Sequence, residues 1–157
     1  MQGAEPNLQP RLVVAAALVW IGDQLLVQRR PAGARHGAGC LELPGGKLER
    51  GEGARAALAR ELREEWGPAA EQLEIGAVAE VLHHVYPAPG PEVILIVLHV
   101  DGGAWAQDRW RERVQPEPGV EVLAFSQAEL PIDEFLAADR PFMRSVAAGE
   151  LGRAGSC

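Results

Sequence analysis

Residues 45–67 read GGKLERGEGARAALARELREEWG, and the reading of this stretch decides the fold. It opens on paired glycines, Gly45-Gly46, which read as a turn. It then runs into a segment rich in alanine, leucine, arginine and glutamate, the composition of a helix. Gly67-Pro68 ends that helix. At about 100° per residue, Glu61, Glu64 and Glu65 fall within an arc of roughly 100°. Spaced i, i+3 and i+4, their side chains are neighbours on one face. Leu58 and Leu62 mark the adjoining apolar stripe, which puts Arg60 and Arg63 on the far side. Carboxylates this close repel unless something neutralises them. An all-oxygen cluster suits a hard divalent cation, Mg²⁺ or Mn²⁺, of the kind that also binds phosphates. From spacing alone, a solvated acidic face is the competing reading.

Upstream, Arg11 to Ile21 and Gln24 to Arg30 are apolar strands around the turn Gly22-Asp23, the pattern of a hairpin. Pro31 to Cys40 reads as an irregular loop, and Leu41-Glu42-Leu43 alternates into Pro44-Gly45-Gly46. Downstream, Leu73 to Tyr86 reads as a strand with a break at Gly76, closed by a turn at Pro87 to Pro91. Glu92 to Val100 is the most apolar run and the expected central strand. Asp101 to Gly119 is a polar loop in which Trp105 and Trp110 suit a dimer contact, pocket lining or core packing equally. Val120 to Phe125 is a further strand, and Ser126 suits the cap of a short helical turn through Leu130. A last helix starts at Asp139 as N-cap, with Pro141 in its first turn, and ends by Gly149. The expected layout is a flexible N-terminus (1–10), a single α+β domain with a mixed β-sheet (11–150) and a loose tail (151–157).

Composition agrees with one soluble globular domain: 157 residues, 47% hydrophobic and 24% charged. The net charge of −7 argues against binding a nucleic-acid polymer, which usually leaves a basic footprint. A single nucleotide is still a reasonable ligand, because a metal can mediate between acidic side chains and phosphate. Cys40 and Cys157 form neither a disulfide framework nor a zinc spacing, and they read as reduced thiols in a cytoplasmic protein. Leu12 to Ile21 is too short to span a bilayer, and Glu5 and the lack of a small-x-small cleavage site oppose a signal peptide. No membrane partner is expected; the protein is a monomer or a homodimer.

With its glycines and carboxylates taken together, the stretch resembles the signature of the Nudix family, G-x5-E-x7-R-E-U-x-E-E-x-G-U, where U is a bulky aliphatic residue. Gly46, Glu52, Arg60, Glu61, Leu62, Glu64, Glu65 and Gly67 stand in register, and Pro68 departs from the last position. The resemblance implies a Nudix-type α/β/α sandwich and a Mg²⁺-dependent pyrophosphohydrolase acting on a nucleoside diphosphate linked to another moiety. It further implies that Glu61, Glu64 and Glu65, with the carbonyl of Gly45, ligate metal. Glu52 and Arg60 would hold loop and helix together, Arg60 orienting one carboxylate, and Lys47 would meet the phosphates. One box carboxylate would accept the proton of the attacking water.

Flanking segments resemble the MutT-type nucleoside triphosphate pyrophosphohydrolases. Gln28-Arg29-Arg30, His36 and Leu41 to Lys47 follow that branch in order, so Arg30 and His36 are implied nucleotide contacts. Ala138-Asp139-Arg140-Pro141 resembles the branch's A-[N/D]-x-P pattern, in which the second residue reads the base. An ionised Asp139 only accepts hydrogen bonds, which suits a base edge presenting N–H groups; capping the helix is its other role. Glu117, ahead of Glu121, is the expected extra metal-reaching carboxylate from the loop before the last strand. The implied reaction converts a nucleoside triphosphate, such as 8-oxo-dGTP or a (d)CTP, to monophosphate and pyrophosphate in nucleotide-pool sanitation. Tyr86 raises dinucleoside polyphosphate hydrolysis as the alternative, whereas His83 stands where ADP-ribose hydrolases carry proline. A non-catalytic nucleotide sensor is the alternative of another class, disfavoured by the retained carboxylates.

Overall fold

The computed structural model describes residues 9–151. Strand β1 (Arg11–Ile21) turns at Gly22-Asp23 into β2 (Gln24–Arg29), pairing Val19 with Leu26 and Ile21 with Gln24. Two short strands follow, β3 (Leu41–Glu42) and β4 (Gly45–Lys47), then helix α1 (Ala54–Trp66). Next come β5 (Glu74–Val85), β6 (Glu92–Asp101), the single-turn helix α2 (Trp110–Arg113), β7 (Glu121–Ser126) and helix α3 (Arg140–Ala147). The strands form one seven-stranded mixed sheet in the order β3-β2-β1-β6-β5, with β4 also on β1 and β7 on β2. Strands β1 and β6 run parallel along their whole length, from Arg11 opposite Glu92 to Trp20 opposite Asp101.

Side-chain alternation along β1 divides the core into two layers. Ala15, Ala17, Val19 and Ile21 face α1, where Ala57, Leu58, Leu62 and Trp66 are buried. Ala16, Leu18 and Trp20 face the other way, onto Phe142, Met143 and Val146 of α3. Helices cover both faces of one mixed sheet, which is the expected α/β/α sandwich. At about 1.5–3 kcal/mol for each large aliphatic side chain fully buried, the α1 stripe alone fixes the helix on the sheet.

Several sequence expectations are corrected. Gly45-Gly46 is not a free turn: it is strand, with Ala16 opposite Gly45 and Ala15 opposite Gly46. The alanines of β1 and the bare glycines let the two backbones lie close. A Cβ on Gly45 (φ 152°) would run into the carbonyl oxygen of Ala15. Trp105 and Trp110 are buried in the α1 layer, so core packing is the reading that holds and neither is free for a dimer contact. Indoles can sit in a polar loop because that loop folds back over the sheet through a 3-10 turn (Gly103–Trp105) and α2. The break foreseen in β5 appears as register shifts between Ile75 and Val78 and between Val78 and Glu80.

Of the expected loose ends, residues 1–8 and 152–157 lie outside the described residues. Residues 9 and 10, the end of the expected N-terminal segment, make hydrogen bonds to the β5–β6 turn and to β6. Gln9 Nε2 donates to the carbonyls of Tyr86 (2.8 Å) and Gly90 (2.9 Å), and Pro10 O accepts from the Glu92 amide. Among the described residues, no helix is long and apolar enough to cross a membrane.

Candidate active site

Helix α1 presents its carboxylates toward the β4 backbone, and Arg60 joins them. Arg60 grips Glu52 with Nε to Oε2 and Nη2 to Oε1, both at 2.9 Å, and donates to the Lys47 carbonyl at 3.0 Å. Its Nη1 reaches Glu61 at 2.8 Å and Glu64 at 3.4 Å. Arg60 lies opposite the Leu58–Leu62 stripe, as the helical wheel has it, which sets it one turn before Glu64 and within reach of Glu61 and of the preceding loop. The Arg60 fork, helped by the Glu49 amide, holds the Glu52 carboxyl down at about 2. Glu61 packs on Gly46 so closely that a Cβ there would overlap its carboxylate.

The Glu65 carboxyl is half-buried against the Gly45 amide. Burial pushes its pKa up to about 8, against the Gly45 amide, which donates to Oε2 at 3.0 Å; the negative charges of Glu42 and Glu61 add to the rise. Such a carboxylate ionises readily once a cation sits beside it. Among the described residues, no three His, Cys, Asp or Glu side chains converge as a ready-made metal centre. The set Glu61, Glu64, Glu65 and Gly45 nevertheless offers only oxygen donors. It fits a hard divalent cation that draws its remaining ligands from phosphate and water.

On the α3 side of the sheet, the same β4 residues border a cavity of about 650 Å³. Leu12, Val14 and Leu95 form an apolar floor, and Arg30, His36, Glu42, Lys47, Tyr86 and Asp139 supply the polar lining. Arg30 is preset: Nη1 donates to Glu42 Oε2 at 2.9 Å and Nε to the His36 carbonyl at 2.8 Å. Tyr86 meets His84 edge-on, ring centroids 4.4 Å apart. Asp139 occupies the N-cap position of α3, but its side chain makes no capping bond. Only 9% exposed, it faces the cavity, and burial, then the Glu42 charge, pushes its pKa up to about 6.

The structure thus gathers the sequence-derived residues into two adjoining groups: Glu52, Arg60, Glu61, Glu64 and Glu65 by the helix, and Arg30, His36, Lys47 and Asp139 around the cavity. Gly45 belongs to both. Of the two loop carboxylates, Glu117 is nearer the helix, its amide bonding the Glu65 carbonyl at 3.1 Å with the side chain exposed. Glu121 lies 3.8 Å from Arg29 instead. Sequence reasoning missed Glu42 and Gln28. Glu42 signals itself only as the polar member of Leu41-Glu42-Leu43, ahead of the glycines. Gln28, 3% exposed, opens the Gln28-Arg29-Arg30 segment, in which only Arg30 drew a role.

The family model for the NUDIX domain matches residues 10–148. An Escherichia coli (strain K12) protein named 8-oxo-dGTP diphosphatase is 30% identical over 119 residues, 76% of this chain and 82% of its own length. A Mycobacterium tuberculosis protein provisionally named an 8-oxo-dGTP diphosphatase is 49% identical over 67 residues, 42% of this chain. In that case the chain spans only 45% of the relative's length. The crystal structure of a MutT protein from Methanosarcina mazei Go1 superposes with a TM-score of 0.71 at 26% identity, covering 90% of this chain and 96% of that one.

Proposed function

The chain belongs to the Nudix family, and on that premise we propose that it hydrolyses a nucleoside triphosphate to the monophosphate and pyrophosphate in a Mg²⁺-dependent reaction. The observation that carries this reading is the position of Gly45. Its amide holds Glu65 at 3.0 Å, and its backbone also borders the cavity. A nucleotide whose base lies in the cavity therefore has its phosphates beside the carboxylates. A volume of about 650 Å³ with an apolar floor and a few convergent polar groups suits a base and sugar.

The chain's own residues have separable tasks. Arg30 and Lys47 carry positive charge to the rim where phosphates would pass, and His36 closes the loop beside Arg30. Asp139 and Glu42 present acceptors to the edge of the base. Arg60 fixes Glu61 and the Glu52 loop, so that the helix carboxylates keep one arrangement. Glu61, Glu64 and Glu65 would hold the cation, which when bound neutralises phosphate charge and acidifies the attacking water. One glutamate of this cluster receives that water's proton. The named relatives favour an oxidised guanine substrate. Asp139, acidic and pushed up to about 6, also suits a cytosine amino edge.

A panel of 8-oxo-dGTP, dGTP, dCTP, CTP, diadenosine tetraphosphate and ADP-ribose, with products resolved, tests the reading. Pyrophosphate released from a triphosphate supports it, and turnover confined to diadenosine tetraphosphate or ADP-ribose overturns it. The second reading, a dinucleoside polyphosphate hydrolase, draws on Tyr86 and His84, whose edge-on pair lines the cavity where a second base could stack.

A further inference from the structure

Gln28 stands opposite Glu42 in the β2–β3 ladder and is 3% exposed. Its Oε1 accepts from the buried Trp66 indole N–H at 2.8 Å, and its Nε2 donates to Glu42 Oε1 at 3.0 Å. The same side chain lies close enough to Glu65 to favour its ionised form. An indole N–H only donates and a carboxylate only accepts, so the amide has one allowed orientation. Every polar atom of Gln28 is thereby committed. Glu42 then offers its other oxygen to Arg30 at 2.9 Å, and Arg30 holds the His36 carbonyl at 2.8 Å. An unbroken chain of hydrogen bonds runs from the last residue of α1 to the cavity rim.

We propose that Gln28 is a positioning residue that sets the Glu42–Arg30 pair of the nucleotide pocket in register with the carboxylate helix. Resting on the nucleotide-hydrolase reading, it names the residue through which helix and pocket are indexed. Glu65 has an independent anchor in the Gly45 amide, whereas Gln28 is the partner of Glu42 Oε1. Loss of the amide therefore acts on recognition ahead of chemistry.

Gln28→Met keeps the side-chain length and removes every hydrogen bond. The test uses whichever of 8-oxo-dGTP, dCTP or diadenosine tetraphosphate the wild type hydrolyses fastest, together with crystal structures of wild type and variant. KM should rise roughly tenfold while kcat stays within roughly threefold. In a Glu42→Gln background the rise should shrink to roughly twofold, because the two residues act in one chain. In the variant crystal, Glu42 should leave Arg30. An unchanged KM, the full rise in the Glu42→Gln background, or an intact Glu42–Arg30 pair overturns the proposal. Should Gln28→Met not fold, Trp66→Phe, which loses the N–H that orients the amide, takes its place with the same outcomes. Turnover of diadenosine tetraphosphate alone would remove the triphosphate reading and still decide this one, and the crystal comparison decides it without any turnover.

Discussion

The amide of Gly45 donates to Glu65 Oε2 at 3.0 Å, and this bond joins the two halves of the site. Gly45 is held against Ala16 of β1, at the centre of the sheet, and Glu65 rides on the helix packed over that sheet. A displacement of β4 therefore reaches the carboxylates directly.

Gly45→Ala tests this coupling. The new methyl meets the Ala15 carbonyl and the Ala16 Cα, both backbone atoms that cannot swing aside, and φ of 152° is strained for any residue with a Cβ. A loss of about 2–4 kcal/mol is expected, on the order of 10 °C in Tm. Activity should fall further than the stability loss explains. Thermal melts beside kinetics at a temperature where the variant is folded check both.

Glu64 and Glu65 separate solvent-exposed from half-buried carboxylate roles. Glu64→Gln, at an exposed position, should leave the melting temperature nearly unchanged and lower kcat by roughly 100-fold or more. Glu65→Gln should lower kcat comparably yet raise the stability of the metal-free protein near neutral pH, because it removes a carboxyl that is ionised in the unfolded chain, with an ordinary value of 4.5, but must take up a proton on folding, where its pKa is about 8. Equal kcat in wild type and Glu64→Gln would remove Glu64 from the metal set.

Asp139 carries a pH signature. Its folded pKa of about 6 lies above the ordinary 3.8, so the folded state holds the proton more tightly than the unfolded chain. Its contribution to stability is complete below about 3.8, declines as pH rises toward about 6, and changes no further above that. Protonated, the carboxyl can donate to a base; ionised, it only accepts. The ratio of kcat/KM for 8-oxo-dGTP to that for dCTP should shift across about pH 6 in the wild type and stay flat in Asp139→Asn. The same bend in both proteins would assign the titration elsewhere.

Arg60→Ala addresses the loop-to-helix clamp. Glu52 is held at about 2, below its ordinary 4.5, chiefly by Arg60. The stability this supplies is present above about 4.5 and is lost as pH falls toward about 2. Urea midpoints of wild type and variant should differ most near neutral pH and converge toward about pH 2. A constant difference would mean that packing, not the ion pair, supports the loop.

The amino-acid sequence by itself determined the strand hairpin, the carboxylate helix, the apolar β6 and the family, because each is written in local periodicity or in a motif read along the chain. Glu61, Glu64 and Glu65 had to share a face whatever surrounded them. The tertiary structure decided what depends on approach between distant segments. Arg60 reaches Glu52 and the Lys47 carbonyl only because the loop before α1 folds back onto the helix. Gly45-Gly46 is strand because β1 offers alanines at that level. The buried indoles of Trp105 and Trp110 and the uncapped, cavity-facing Asp139 follow from how loop and helix close over the sheet. Gln28 and Glu42 stood within the quoted motif segments without a role for the same reason. Their meaning lies in a hydrogen-bond path from Trp66 to Arg30, and partners so far apart in the chain meet only once the sheet has formed.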